Sequence, residues 1–337
     1  MASSVRAFLL PSNMRLISNP ILCNYYVTYR CNASCGFCDI WEKPSPYITI
    51  ENTRQNLLDL KKMGVKVIDF TGGEPLLHRQ IDLLLQMAKE MGFITTITTN
   101  GLLYPKWAKK IKGKVDMLHF SLDSMNKEKH DQGRGVACYD FVMDSVRIAK
   151  QLGERPDILF TVFEDNINEI EEVYEYCQNV GLILILNPAF EYSGVVTEVN
   201  YTANDFRQLK KWSKKKGVYL NNAFLKLRKD GGNHVTKPVC KAASSTVVIS
   251  PHNELILPCY HLGMKNILIE NDLFELYHSH EVQQLVALEG RYPQCEGCVI
   301  NCYMQPSFAV EMNKYWWRAL PSTLKYNTMK GTWKQLF

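Results

Sequence analysis

RCNASCGFC, residues 30–38, places three cysteines within eight positions, at Cys31, Cys35 and Cys38. The segment follows a β-rich run at residues 24–28, so its thiols are expected on a loop at the carboxyl end of a strand. Three thiolates can bind three corners of a cubane iron–sulfur cluster and leave one iron without a protein ligand. Zinc is the alternative, but a structural zinc site needs four ligands, and no fourth cysteine or histidine lies close by in the sequence.

Short β-rich runs and longer helical stretches alternate from about residue 22 to residue 220, a pattern typical of parallel βα units. Six runs are predicted to be strands: residues 24–28, 65–70, 93–99, 117–122, 158–163 and 182–187. Helical stretches between them end at glycines such as Gly92, Gly153 and Gly181, which can adopt the positive φ of a helix C-terminus. Active sites of βα barrels form where the strands end, so the cysteine loop is expected in such a site.

Composition narrows the class of protein. The 337 residues are 46% hydrophobic and 22% charged, which is ordinary for a globular protein large enough for one barrel and a small appendage. No apolar run could span a bilayer and no signal peptide is evident, so we expect a cytoplasmic protein without a transmembrane segment. The net charge of +5 is small and scattered, which argues against nucleic acid as a partner. In a reducing compartment, the eleven cysteines are expected to be metal ligands or buried small side chains rather than disulfides.

Short motifs follow the next three predicted strands, each at the carboxyl end. They are Thr71-Gly72-Gly73-Glu74-Pro75, Thr99-Asn100-Gly101 and Ser121-Leu122-Asp123. Each alone could be an ordinary turn. Together with Cys-x3-Cys-x2-Cys, whose last cysteine follows an aromatic residue, they resemble the radical S-adenosylmethionine (SAM) superfamily in order and position.

The resemblance implies an α/β fold, a partial (β/α)6 TIM-like barrel at residues 22–225. It implies a [4Fe–4S] cluster on Cys31, Cys35 and Cys38, whose open iron binds the amino and carboxylate groups of SAM. Around SAM it places these residues: Phe37, Gly72, Gly73, Glu74, Thr99, Asn100, Ser121 and Asp123. In the implied chemistry, one electron cleaves SAM into methionine and a 5′-deoxyadenosyl radical, which takes hydrogen from an unactivated C–H bond. A flavodoxin or ferredoxin-type donor is implied as the electron source.

A second cysteine set lies further along the chain. Cys240 and Cys259 flank two strand-like runs joined by a turn at residues 251–254, so a hairpin would bring them together. Cys295 and Cys298 lie on one tight turn and complete a set of four. The arrangement resembles the Twitch or shortened SPASM extension of radical SAM enzymes, which implies an auxiliary [4Fe–4S] cluster.

Two departures from that extension leave alternatives open. Glu254 stands where the family has a hairpin glycine, and a fifth cysteine, Cys302, follows Cys298. Cys302 is therefore an alternate ligand, and structural zinc, a disulfide or free thiols remain alternatives to the auxiliary cluster. The predicted division is an N-terminal extension at residues 1–21, the barrel, a small cysteine-rich α+β domain at residues 226–310 and a basic, aromatic tail at residues 311–337.

The tail has two interpretations. Its lysines and tryptophans are compatible with a weak membrane-surface or lipid contact, whereas packing of its aromatic residues against the barrel is the commoner use. Residues 191–194 and Tyr260-His261 are further places where polar groups could reach a substrate, and no catalytic role is assigned to them.

The predicted function is a radical SAM enzyme that acts on carbon of a small molecule or lipid precursor, by oxidation or by bond formation, with the auxiliary cluster as electron acceptor. A peptide-modifying maturase is the alternative, disfavoured because few residues precede the first strand for a leader-binding domain. A non-catalytic iron–sulfur electron carrier is the alternative of another class, but a carrier needs no vacant iron.

Overall fold

The computed structural model describes residues 14–191, residue 196 and residues 199–332. The strands are β1 Met14–Arg15, β2 Leu22–Thr28, β3 Val67–Gly72, β4 Ile94–Thr99, β5 Met117–Ser121, β6 Asp157–Val162, β7 Ile183–Pro188, β8 Val218–Tyr219, β9 Thr246–Ile249, β10 Glu254–Leu257, β11 Lys265–Leu268 and β12 Glu311–Met312. The helices are α1 Ile50–Lys62, α2 Ile81–Glu90, α3 Tyr104–Ile111, α4 Lys127–Arg134, α5 Tyr139–Gln151, α6 Ile170–Val180, α7 Ala203–Trp212, α8 Asn222–Lys229, α9 Ala242–Ser245, α10 Leu273–His278, α11 His280–Ala287, α12 Asn301–Val310 and α13 Lys314–Lys330.

One ten-stranded sheet organises the molecule, in the order β11-β10-β9-β2-β3-β4-β5-β6-β7-β8. Pairing is parallel from β9 to β8 and antiparallel between β9, β10 and β11. Strands β2 to β7 are the six predicted strands, and each end lies within two residues of its prediction. The sheet does not close on itself, so the predicted partial barrel is confirmed as the fold class.

Side chains along β2 point alternately to the two faces of the sheet, as expected for a strand of a barrel. Cys23, Tyr25 and Val27 are fully buried in the core between sheet and helices, whereas Asn24 and Tyr26 point to the opposite face, inside the barrel. Burying a large apolar side chain stabilises the fold by about 1.5–3 kcal/mol, so the helix-facing rows supply the main driving force for the sheet. The inner face is then available for polar residues.

The second cysteine set is attached to the same sheet. β9 pairs in parallel with β2, with Tyr25 opposite Ile249, and β10 returns antiparallel to form the predicted hairpin. In the turn of this hairpin, Asn253 has a positive φ of 61°. It lies one position before Glu254, which the sequence analysis placed at the family's glycine position. Asparagine tolerates this conformation better than most residues, which accounts for the missing glycine. The sheet thus continues across the predicted boundary at residues 225 and 226, and the domain division stays a prediction.

The predicted tail packs against the barrel through α13. Tyr326 Oη donates a hydrogen bond of 2.7 Å to Asp157 Oδ2, and Lys330 Nζ lies 3.0 Å from both oxygens of the same carboxylate. Lys325 donates to carbonyl oxygens of the β8 connection. These contacts favour the packing interpretation, although Trp317 remains 57% exposed. Along the described chain, no helix combines the length and the apolar character needed to cross a membrane.

Candidate functional site

The first cysteine loop leaves β2 and lies on the C-terminal end of α4. The N–H groups of Ser34 and Gly36 donate to the carbonyl oxygens of Arg134 and Gly133, at 3.2 and 3.4 Å. Ser34 Oγ also donates to the Gly135 carbonyl, at 3.1 Å. The loop therefore has a fixed conformation that does not depend on the thiols themselves.

Backbone N–H groups point at the sulfurs of this loop. Burial raises the pKa of Cys31 to about 12, and a hydrogen bond from the Ala33 N–H opposes that shift. Burial also raises the pKa of Cys38, and a hydrogen bond from the Ile40 N–H opposes that shift. The third thiol, Cys35, lies beside the Arg134 guanidinium. Donors aimed at sulfur stabilise thiolates, which is the form that binds iron.

The two glycines after β3 allow a close backbone crossing. A Cβ on Gly72, where φ is 144°, would collide with the Thr28 carbonyl, and one on Gly73 would collide with the carbonyls of Tyr29 and Arg30. The N–H groups of Gly73 and Glu74 donate to the carbonyls of Thr28 and Arg30, at 3.0 and 2.9 Å. Only glycine lets the two segments meet this closely.

Glu74 is 1% exposed and joins the ends of two strands. Oε1 accepts from Leu76 N and Thr99 Oγ1, at 3.0 and 2.8 Å, and Oε2 accepts from Asn100 N, at 2.9 Å. Burial raises the pKa of Glu74 to about 7, and these hydrogen bonds oppose the shift. Asn100 Nδ2 donates in turn to Asn32 Oδ1 on the cysteine loop, at 2.9 Å.

The fourth motif reaches the same loop through an ion pair. Asp123 lies 2.5 Å from Arg134 Nη2 and accepts from Thr161 N, at 2.8 Å. The Arg134 guanidinium carbon is 5.3 Å from the ring centre of Phe37. Ser121 is 5% exposed at the end of β5. All the residues predicted around SAM thus lie at the carboxyl edge of strands β2 to β5.

Asn233 holds the second cysteine set together. Its side chain is fully buried; Oδ1 accepts from Val239 N and Cys240 N, and Nδ2 donates to the carbonyls of Gly290 and Cys295. Its backbone N–H donates 3.0 Å to the Cys298 carbonyl. One residue therefore contacts the backbone of Cys240, Cys295 and Cys298, which are far apart in sequence.

The sulfurs of this set also receive backbone donors. They come from Ala242 to Cys240, from Leu262 and His261 to Cys259, from Tyr292 and Gly290 to Cys295, and from Ile300 to Cys298. Cys302 differs, because the backbone contact to its sulfur comes from its own N–H. It is exposed, and its sulfur lies 3.8 Å from His261 Nε2. Burial raises the pKa of all five thiols, and a backbone donor from another residue opposes that shift at four of them.

One group of closely spaced potential metal ligands lies outside both cysteine sets. Tetrahedral zinc with Zn–S bonds of about 2.3 Å brings its thiolates within about 4 Å of one another. Among described residues, the one group whose potential ligand atoms all lie within 4.8 Å is His130, Asp131 and Cys138, outside both cysteine sets. In that group, Asp131 accepts from the backbone at the start of α5 and serves as a helix cap.

Two of the cavities that adjoin the cysteine sets have His261 in their walls. One of about 260 Å³ is bounded by Cys38 on one side and by Tyr260 and His261 on the other. One of about 820 Å³ contains Cys259, Cys295 and Cys298, and His261 lines both. Tyr260 stacks on Tyr26, with ring centres 4.6 Å apart. Of the predicted polar loop, residue 191 lines the larger cavity, and residues 192–194 lie outside the described residues.

Sequence reasoning missed Asn233, Arg134 and Arg228. Asn233 follows two glycines after α8, and that break in the helix was the available signal. The two arginines lie inside helices, at the edges of the two cysteine sites, and nothing in their local sequence distinguishes them from exposed arginines.

Comparisons with known proteins agree with this geometry. The Radical SAM superfamily model matches residues 25–177. A GTP 3′,8-cyclase of Aliarcobacter butzleri is 30% identical over 168 residues, which is 47% of this chain and 52% of that protein. An AdoMet-dependent heme synthase of Oleidesulfovibrio alaskensis is 26% identical over 196 residues, 55% of this chain and 50% of that protein. The matches span about half the length of these curated relatives.

A solved structure shares the fold. Streptococcus suis SuiB bound to S-adenosylmethionine superposes with a TM-score of 0.64 at 19% identity, over 79% of this chain and 67% of that one. The cysteine loop and the motifs at the strand ends all lie within the residues that match this family, and the relatives named above are enzymes. Residues 25–177 therefore form a domain of the Radical SAM superfamily.

Proposed function

We propose that this enzyme cleaves SAM reductively and takes hydrogen from an unactivated carbon of a small-molecule or lipid-precursor substrate, with an auxiliary [4Fe–4S] cluster on Cys240, Cys259, Cys295 and Cys298 as electron acceptor. The observation that carries the proposal is the cavity of about 260 Å³ between Cys38 and the residues next to Cys259. Its volume suits a small organic group rather than an extended chain.

Cys31, Cys35 and Cys38 would hold the first cluster, and their backbone donors fit that role. When bound there, the cluster and SAM supply the 5′-deoxyadenosyl radical. Glu74 holds the Asn100 turn against the cysteine loop, and Gly72 and Gly73 let the end of β3 pack closely against the backbone that leads into that loop. The chain's contribution is thus a rigid cradle that places SAM at the cavity.

The small cavity combines an aromatic wall with a few polar groups. Phe37, Phe163 and Tyr260 exclude water, while Asp39 and Asn187 offer polar atoms to a substrate. Asn187 is oriented by a hydrogen bond of 2.8 Å from Asn301 Nδ2 to its side-chain oxygen. A reactive radical needs such a site, because other hydrogen donors must be kept away from it.

Four thiolates would fill the coordination of the auxiliary cluster, so substrate would not bind its iron. After losing a hydrogen atom, the substrate radical would give one electron to this site and one proton to solvent. The net reaction is a two-electron oxidation of the substrate that consumes one SAM, with the first electron supplied by a flavodoxin or ferredoxin-type donor. The reducing cytoplasm is the compartment that suits these thiolates.

Release of 5′-deoxyadenosine tests the proposed chemistry. We expect the anaerobically reconstituted protein to form it from SAM when dithionite is added, slowly without substrate. An iron–sulfur carrier would form none, so absence of 5′-deoxyadenosine with both clusters present would contradict the proposal.

Cys302 and Cys240 are expected to behave differently when replaced. Cys302→Ala should keep about eight irons, because the backbone contact to its thiol comes from its own N–H, whereas other residues donate to the remaining four thiols. Cys240→Ala should keep about four, because it removes a ligand of the auxiliary cluster. Iron analysis and EPR spectra measure both. A Cys302→Ala protein with about four irons would make Cys302 a ligand and the assignment of Cys240, Cys259, Cys295 and Cys298 incorrect.

Glu74→Gln is expected to weaken SAM binding by about 10- to 100-fold, corresponding to about 1.5–3 kcal/mol. The substitution removes the charge that attracts an ammonium group and turns an NH₂ group toward the Asn100 N–H. Binding titrations with SAM on protein of equal iron content measure the effect. Asp69→Asn is the matched control, a partly buried carboxyl on β3, the strand that precedes Glu74, and it accepts from Thr96. Equal SAM affinity in Glu74→Gln and the parent would remove Glu74 from the SAM site.

A further inference from the structure

Arg228 on α8 is a partly buried cation with neutral hydrogen-bond partners. Its guanidinium donates to the carbonyls of Pro188 and Ala189, at 3.1 and 2.9 Å, and to Asn301 Oδ1, at 3.1 Å. These partners are neutral, so they bring no negative charge to the guanidinium. Within the described ranges, no carboxylate lies within 4.0 Å of it, the limit for an ion pair.

The surroundings of Arg228 point to a missing anion. A buried charge costs free energy unless an opposite charge lies near it. Arg228 lines the cavity of about 820 Å³ together with Cys259, Cys295 and Cys298, and it interacts electrostatically with the Cys298 thiol. Glu296 lines the same cavity, but its carboxylate bonds to His234 and to the Val235 N–H.

We propose that Arg228 is the counter-cation of the auxiliary cluster and raises its reduction potential, so that this cluster takes an electron more readily. The inference rests on the proposed function, because it needs a cluster on those cysteines. Reduction adds one negative charge to the cluster, and a nearby cation stabilises the reduced form more than the oxidised form. No proton moves with the electron, because arginine stays protonated.

The first cysteine loop provides the contrast within the same molecule. Arg134 lies beside Cys35, but Asp123, at 2.5 Å, neutralises it. The arginine at the electron-donating site is therefore compensated by a carboxylate, and the arginine at the accepting site is not. This difference fits a low potential at the first cluster, which must reduce SAM, and a higher potential at the second.

The test measures the potential of the auxiliary cluster alone. In a protein with Cys31, Cys35 and Cys38 all replaced by alanine, an EPR-monitored redox titration should give a lower midpoint potential for Arg228→Gln than for its parent. Arg228→Lys, which keeps the charge, should stay closer to the parent. Arg207→Gln is the matched control, since it removes an exposed arginine from the neighbouring helix α7, and it should leave the potential unchanged.

The outcomes separate the two proposals. An unchanged potential in Arg228→Gln with its cluster intact overturns the role of Arg228. Absence of iron in the triple-cysteine background overturns the auxiliary cluster itself. If Arg228→Gln does not retain its cluster, Asn301→Asp supplies the test, because it places a carboxylate on the guanidinium; it should lower the potential, and an unchanged value overturns the inference.

Discussion

Asn233→Ala is expected to leave the protein with about four of its eight irons, losing the auxiliary cluster and keeping the first. The substitution removes four side-chain hydrogen bonds and leaves buried backbone groups at Cys240 and Gly290 without partners. Each buried group without a partner costs about 1–3 kcal/mol, so the cysteines should lose their common geometry. Iron analysis and the EPR spectrum of the reduced protein measure the loss.

Asn56→Ala is the control for this experiment. Asn56 is 1% exposed on α1, and its amide donates to Tyr25 and Asn253 without touching a cysteine. It should keep both clusters despite a similar loss of buried hydrogen bonds. If Asn233→Ala retained about eight irons, the backbone contacts of Asn233 would not position the ligands.

Replacing Cys31, Cys35 and Cys38 together with alanine is expected to halve the iron content, from about eight to about four, and to abolish release of 5′-deoxyadenosine. The remaining iron should be on the second cysteine set, because the two sets lie in separate loops with separate backbone donors. Anaerobic reconstitution followed by iron analysis and product chromatography measures both quantities.

Cys177→Ala is the matched control for the triple variant. Cys177 is a fully buried cysteine of α6 and belongs to neither set, so its loss should leave iron and product unchanged. Loss of all iron in the triple variant, or zinc in place of the remaining iron, would contradict the presence of two independent clusters.

The barrel strands were predictable because local patterns specify them. Strands β3 to β7 combine a short β-rich run with a preceding helix that is followed by a glycine, and both signals lie within about twenty residues. The motifs at the strand ends were predictable for the same reason. Parallel strands bring their carboxyl ends to one edge, so Glu74, Thr99 and Asn100 meet there.

What the sequence did not predict depends on contacts between distant segments. The run at residues 246–249 is a short apolar strand, and such a run does not specify its partner, so its parallel pairing with β2 could not be foreseen. Asn233 acquires its role by touching Gly290 and Cys295, which lie 57 and 62 positions later. The proposed role of Arg228 likewise depends on the cavity that it lines together with cysteines distant in sequence.

The pairing of β2 with β9 has a consequence for biosynthesis. The strand that leads into the first cysteine loop shares an edge with residues 246–249, so that edge has no partner until the ribosome has made more than two-thirds of the 337 residues. Contacts this distant in sequence form slowly, because a long loop must close before they stabilise anything. We therefore expect stable loading of the first cluster to be largely post-translational, with the nascent cysteine loop exposed to oxidation until β9 is in place.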